Sequence, residues 1–119
     1  MSVALLIEYK SADRAASYVP FATQHVFMEH WAPLLKALQA DSPPQAAEGI
    51  AILLDGATGG AIDPEQIPSC LAAIALVKGT LAMLEAHSEI HAEMLHRLES
   101  LHQAILEIVP SEVDSLFFG

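Results

Sequence analysis

The stretch from Asp63 to Val109 constrains this chain more than any other. No proline interrupts it between Leu71 and Val109, and leucine, isoleucine, alanine and glutamate dominate it. Asp63 suits an N-cap, Pro64 the first helical position, and Gln66 completes a capping-box spacing. At helical spacing Leu84, Met94, Leu95, Leu98, Leu101, Ile105 and Val109 fall on one side. Glu85, Glu89, Glu93, His96, Gln103 and Glu107 fall on the other. The pattern predicts one long helix, or two in series with a joint near Gly79 or Ser88. Its first part is apolar nearly all round and is expected in the core. Its second part is amphipathic and presents an acidic ridge to solvent or to a partner.

A chain of 119 residues can close one domain, 1–119, burying roughly 65% of its unfolded surface. Hydrophobic residues make up 53%, which excludes disorder. Fifteen acidic side chains against five basic ones leave a net charge of −10. That balance argues against binding nucleic acid or an anionic membrane, and it attracts basic partners. Cys70 stands alone, so no internal disulfide forms, and on an apolar helix it reads as a small buried hydrophobe. The start, MSVALLIEYK, lacks the marks of a signal peptide. The apolar run Leu71 to Leu84 is interrupted by Lys78 and falls short of the ~20 residues that span a bilayer. A soluble cytoplasmic protein is expected.

Residues 3–9 read as a short strand, whose only candidate partner is 50–54, IAILL. Thr23 suits the N-cap of a helix starting at Gln24, on which Phe27, Trp31, Leu34, Leu35 and Leu38 share a face with Met28 beside them. Pro33 lacks an N–H, so a kink near Trp31 is expected. His25, Glu29 and Lys36 point away from that face. Residues 41–48, with Pro43-Pro44, read as a linker. DGATGGAID reads as a flexible loop, because it lacks the glycine spacing and the immediate helix of a dinucleotide fingerprint. After Pro110, Ser111, Glu112 and Asp114 suit a new helical turn, with Leu116, Phe117 and Phe118 folding back on the core. The fold class expected is mainly α: a single-domain helical bundle with a long C-terminal helix, and an optional two-stranded element from 3–9 and 50–54.

Histidines supply the only constellation with a chemical flavour. His87 and His91 are four apart and share a helical face, with His102 three turns on. Together with His25-x-x-x-Glu29 they resemble fragments of the haemerythrin pattern, which implies a di-iron helical bundle with His87, His91 and His102 as ligands. The spacing departs from that family, since His91 and His102 fall on one helix and the pattern needs two. No nucleophile elbow, no catalytic triad context and no Cys–His pair is visible, so no catalytic residue is expected.

Two further stretches carry a second resemblance. One is Tyr18-Val19-Pro20-Phe21-Ala22-Thr23, followed by Phe27 and by Trp31-x-Pro33-Leu34; the other is Gly60-x-Ile62-x-x-Glu65-Gln66-Ile67-Pro68, leading into the leucine-rich helix. Together they resemble a group of small bacterial immunity proteins, partners of secreted or contact-delivered toxins. The first turns of the long helix depart from that group, being alanine-rich where charge is expected. The resemblance implies stoichiometric inhibition of a toxin, with no cofactor, and it assigns no site residue. Charge and patterning agree with it: the ridge of Glu85, Glu89, Glu93 and Glu99 is the expected contact for a basic toxin domain. A small acidic export chaperone is the third reading, and a homodimer stays open.

Overall fold

The computed structural model describes residues 2–84 and 88–119. Strand β1 (Ser2–Tyr9) alternates: Val3, Leu5 and Ile7 are buried on one side, while Leu6 and Glu8 lie on the other with Ala4. It pairs antiparallel with β2 (Ser17–Thr23) on one side and with the C-terminal strand β4 (Val113–Phe118) on the other. The two-residue β3 (Gly60–Ala61) adds to β4, giving the order β2-β1-β4-β3. Both ends of the chain thus supply the central strands.

Helices cover the inner face of this sheet. Thr23 caps α1 (Gln24–Val26), its hydroxyl accepting from the Val26 N–H at 3.2 Å. The rod continues through a π-helical turn, Phe27–Trp31, into α2 (Ala32–Gln39). The irregularity expected from Pro33 is this wide turn, placed immediately before the residue whose missing N–H breaks the ladder. Helix α3 (Pro44–Leu54) packs against α4 (Ile67–Leu84), and α4 against α5 (Glu89–Leu106). Gln66 Oε1 accepts from the Asp63 N–H at 3.0 Å, so the capping box opens the turn that feeds α4. The core runs from Val3, Leu5 and Phe118 on the sheet through Phe27, Trp31 and Leu35 to Ile74, Val77, Leu98 and Leu101.

Several expectations are corrected here. Helices form the majority, but the protein is not a helical bundle, because they pack on a four-stranded antiparallel sheet. Residues 3–9 are a strand as expected, whereas 50–54 lie in α3. Pro43 sits in extended backbone and Pro44 takes the first helical turn, so the double proline starts a helix instead of prolonging a linker. The tail makes only a short 3-10 turn, Pro110–Glu112, before becoming β4. Leu116 and Phe118 point inward by alternation, and a bulge at Asp114 returns Val113 to the same side, so the strand fits the open side of β1. Helix α4 buries one face only: Cys70, Ala73, Ile74, Val77 and Leu81 are inside, while Ala75, Gly79, Ala82 and Met83 are exposed. By length and composition alone the segment Pro64–Leu84 could cross a bilayer, yet it contributes those core residues here. Val109 is exposed beyond the end of α5. Met28 is likewise turned out.

Both sheet edges are blunted. Ala4 exchanges both of its backbone hydrogen bonds with Gly119, at 3.2 and 3.0 Å, so its polar groups point away from β2. Its partner in β2 is Pro20, whose own backbone must then face the free edge, where the missing N–H leaves a gap for any incoming strand. A bulge follows: Ala4 pairs with Pro20 and Val3 with Ala22, so Phe21 is the extra residue. The bulge aims Phe21 inward, where its ring lies 4.5 Å from Trp31 and edge-on to Phe118 at 5.4 Å.

Candidate functional site

Helix α5 lies beside the edge strand β2 and runs opposite to it. The order in which residues of the two elements line shared hollows shows this. Glu89, Ile90 and Glu93 share a hollow with Pro20–Thr23, His96 and Ser100 share one with Val19, and Ala104 and Glu107 share one with Ser17. Three hollows follow one another along that seam. The largest, about 530 Å³, has Phe21, Trp31 and Met94 at its floor and Glu89, Glu93 and Arg97 on its wall. The next, about 440 Å³, is lined by Val19, Glu99 and Ala104 among others, and a smaller one of about 210 Å³ reaches Tyr9 and Arg14.

The amphipathic pattern of α5 creates this arrangement. Met94, Leu98, Leu101 and Ile105 anchor the helix in the core. The same rotation leaves Glu89, Glu93, Glu99 and Glu107 exposed. Arg97 neutralises part of the wall by pairing with Glu93 at 3.5 Å, one turn back along the helix. The seam therefore combines apolar floor patches with a predominantly acidic margin. Apolar patches ringed by charge are suited to a protein segment that is itself amphipathic and basic.

Of the ridge expected for partner contact, Glu89 and Glu93 line the largest hollow and Glu99 the next. Glu85 lies outside the described residues. Glu107, at the far end of the same seam, was not among the expected contacts; its place on the polar side of α5 is the signal that could have found it. Phe21 and Trp31 line the floor although each is almost wholly buried.

Among the described residues, His91 and His102 do not come together. His87 lies outside the described residues. His91 and His102 both lie on α5, eleven positions apart, which separates them by about 16 Å along the axis and precludes a shared ion. His102 Nδ1 instead faces the Lys78 ammonium at 3.2 Å. Burial, and secondarily that ammonium, hold the imidazole below its ordinary pKa. His91 Nδ1 is buried without a hydrogen-bond partner among the described residues. Among those residues no group of three or more His, Cys, Asp or Glu side chains is placed to hold a metal ion. His25 and Glu29 pair with each other at the surface of the first helical rod. Cys70 is buried, and burial, reinforced by the charge of Glu48, pushes its thiol up to about 11.

No known protein family matches this chain, and no curated protein or solved structure matches it either.

Proposed function

We propose that this chain is a stoichiometric protein-binding module, of the kind that neutralises a toxin by holding a basic segment of it along the β2–α5 seam. The observation that supports this reading most is the placement of Glu89, Glu93 and Glu99 beside apolar floor patches in successive hollows between β2 and α5. Carboxylates at a groove margin raise the encounter rate with a cationic partner, while the floor residues resist its departure. The net charge of −10 extends the same attraction beyond the contact. Pro20 interrupts donation from the β2 edge, so the incoming segment docks by its side chains, as an amphipathic helix or turn, and not as a fifth strand. Such an inhibitor needs no catalytic group and no cofactor.

The test is co-expression with the product of the adjoining gene, followed by measurement of the complex and of growth protection. A one-to-one complex is expected, with an association rate that falls as salt rises. The pair Glu89→Lys and Glu93→Lys should slow association about tenfold or more with the fold intact. A complex whose rate ignores both salt and these reversals would remove the seam from the mechanism.

A further inference from the structure

The sheet has a second face, which no helix among the described residues covers. Register places Leu6 opposite Tyr18 on one side and opposite Phe117 on the other, and Phe117 opposite Ala61. A row of apolar side chains therefore crosses all four strands. Tyr18 lies back along the face toward Ser2, whose hydroxyl is 3.1 Å from its own. Phe117 lies against Gly59 and Gly119, where an added Cβ would come within 2.7 and 2.9 Å of the ring. Both rings rest on small residues and keep 59% and 42% of their surface exposed.

We infer that this face is where two copies of the chain meet, sheet against sheet, about a two-fold axis running along β1 above Leu6. Three observations favour a second copy over other occupants. First, the sheet edges offer little to an incoming strand, since Pro20 blunts one and the two-residue β3 forms the other. Second, the outward positions of β1 from Ser2 to Leu6 are uncharged, and Glu8 enters only at the far end. In a molecule of net charge −10 the uncharged centre of this face is poorly suited to a basic partner, and contact centres, those of homodimers included, are depleted of charge. Third, rotation about that axis sets Leu6 on Leu6 and lays Tyr18 of each copy over Phe117 of the other; it also brings the two Glu8 side chains together at the end of the face, a repulsion that salt screens. Face-to-face sheets separate by about 10 Å and tolerate the crossing angle that strand twist imposes.

The area sets the strength. Strands of this length, with three inter-strand spacings, offer a footprint of about 400 Å² per copy. That is about half of the ~800 Å² per partner in a stable complex. The dimer is therefore concentration-dependent and not obligate. It does not rest on what the seam binds.

Sedimentation of the full chain from low-micromolar to sub-millimolar concentration should show the mass rising from 12.7 kDa toward twice that value. Added salt should tighten the dimer, because it screens repulsion between like-charged copies. Leu6→Glu and Leu6→Lys should each weaken self-association at least about tenfold, and mixing the two variants should restore a heterodimer, which only a two-fold contact centred on residue 6 permits. Tyr18→Glu, at an exposed position, serves as a second probe should either Leu6 variant fail to fold by circular dichroism. A strictly monomeric wild-type chain overturns the inference, as does a dimer that survives Tyr18→Glu and folded Leu6→Glu unchanged.

Discussion

At the scale of single residues, two glycines with the same letter have opposite roles. Gly49 sits where α3 crosses α4, and a Cβ there would come within 1.9 Å of the Ser69 carbonyl oxygen and 2.7 Å of the Ala73 Cβ. The backbones can approach that closely only without a side chain, and the Ser69 hydroxyl donating to Glu48 at 3.1 Å ties the same crossing. Gly79 lies on the exposed side of α4 with nothing within 4 Å of such an atom. Gly49→Ala should destabilise the protein by about 1–3 kcal/mol through overpacking. Gly79→Ala should stabilise it by about 0.5–1 kcal/mol through helix propensity and lost unfolded-state freedom. Denaturant midpoints measured on both variants check the pair, and shifts of the same sign would contradict the crossing geometry. Neither role is legible in the sequence, where each glycine is only a weak point in an apolar run. Cys70 was legible, because a lone thiol among apolar helical neighbours has few other places to go.

Between elements, the contact of Lys78 with His102 joins α4 to α5. A neutral imidazole accepts from the ammonium, whereas a protonated one would repel it. Burial first, then Lys78, lowers the folded-state pKa of His102 below its ordinary 6.5. The unfolded chain therefore binds more protons than the folded one in the window between the lowered value and 6.5. The stabilisation is complete above 6.5 and is lost as pH falls through that window. An NMR titration of His102 should have its midpoint below 6.5, and Lys78→Met should move it upward only part of the way, because burial is the larger cause. A midpoint at or above 6.5 in the wild-type chain would contradict the packing. The elements themselves were readable to different degrees. Caps at Thr23 and Asp63, the disturbance before Pro33 and the amphipathic rotation of α5 follow from local chemistry. Residues 50–54 and 113–118 do not, since a short apolar run fits helix and strand equally well.

For the whole molecule, fifteen acidic groups are held within principal extents of 45 × 29 × 23 Å. Screening acts over about 8 Å at physiological ionic strength, so neighbouring carboxylates repel one another across much of this surface. Adding NaCl to a low-salt buffer should therefore raise the melting temperature of the isolated chain. A melting temperature unchanged between low and physiological salt would show that the surface charge is spread too thinly to matter. The same ions should weaken capture of a basic partner at the seam and strengthen pairing through the outer sheet face, where like charges meet only at Glu8. The two surfaces are thereby distinguishable by one variable.

Composition and periodicity determined what this chain could read from its neighbours in sequence: the start and stop of helices, the face that α5 buries, and the negative surface it shows. Tertiary structure alone decided the rest. It gave the readable strand 3–9 its partners 17–23 and 113–118, and added 60–61 to the latter, because strand pairing is satisfied between residues far apart in the chain and leaves no local signature. It also turned three glutamates of a solvated helix face into the margin of a groove, by laying the edge strand and its bulged Phe21 alongside them.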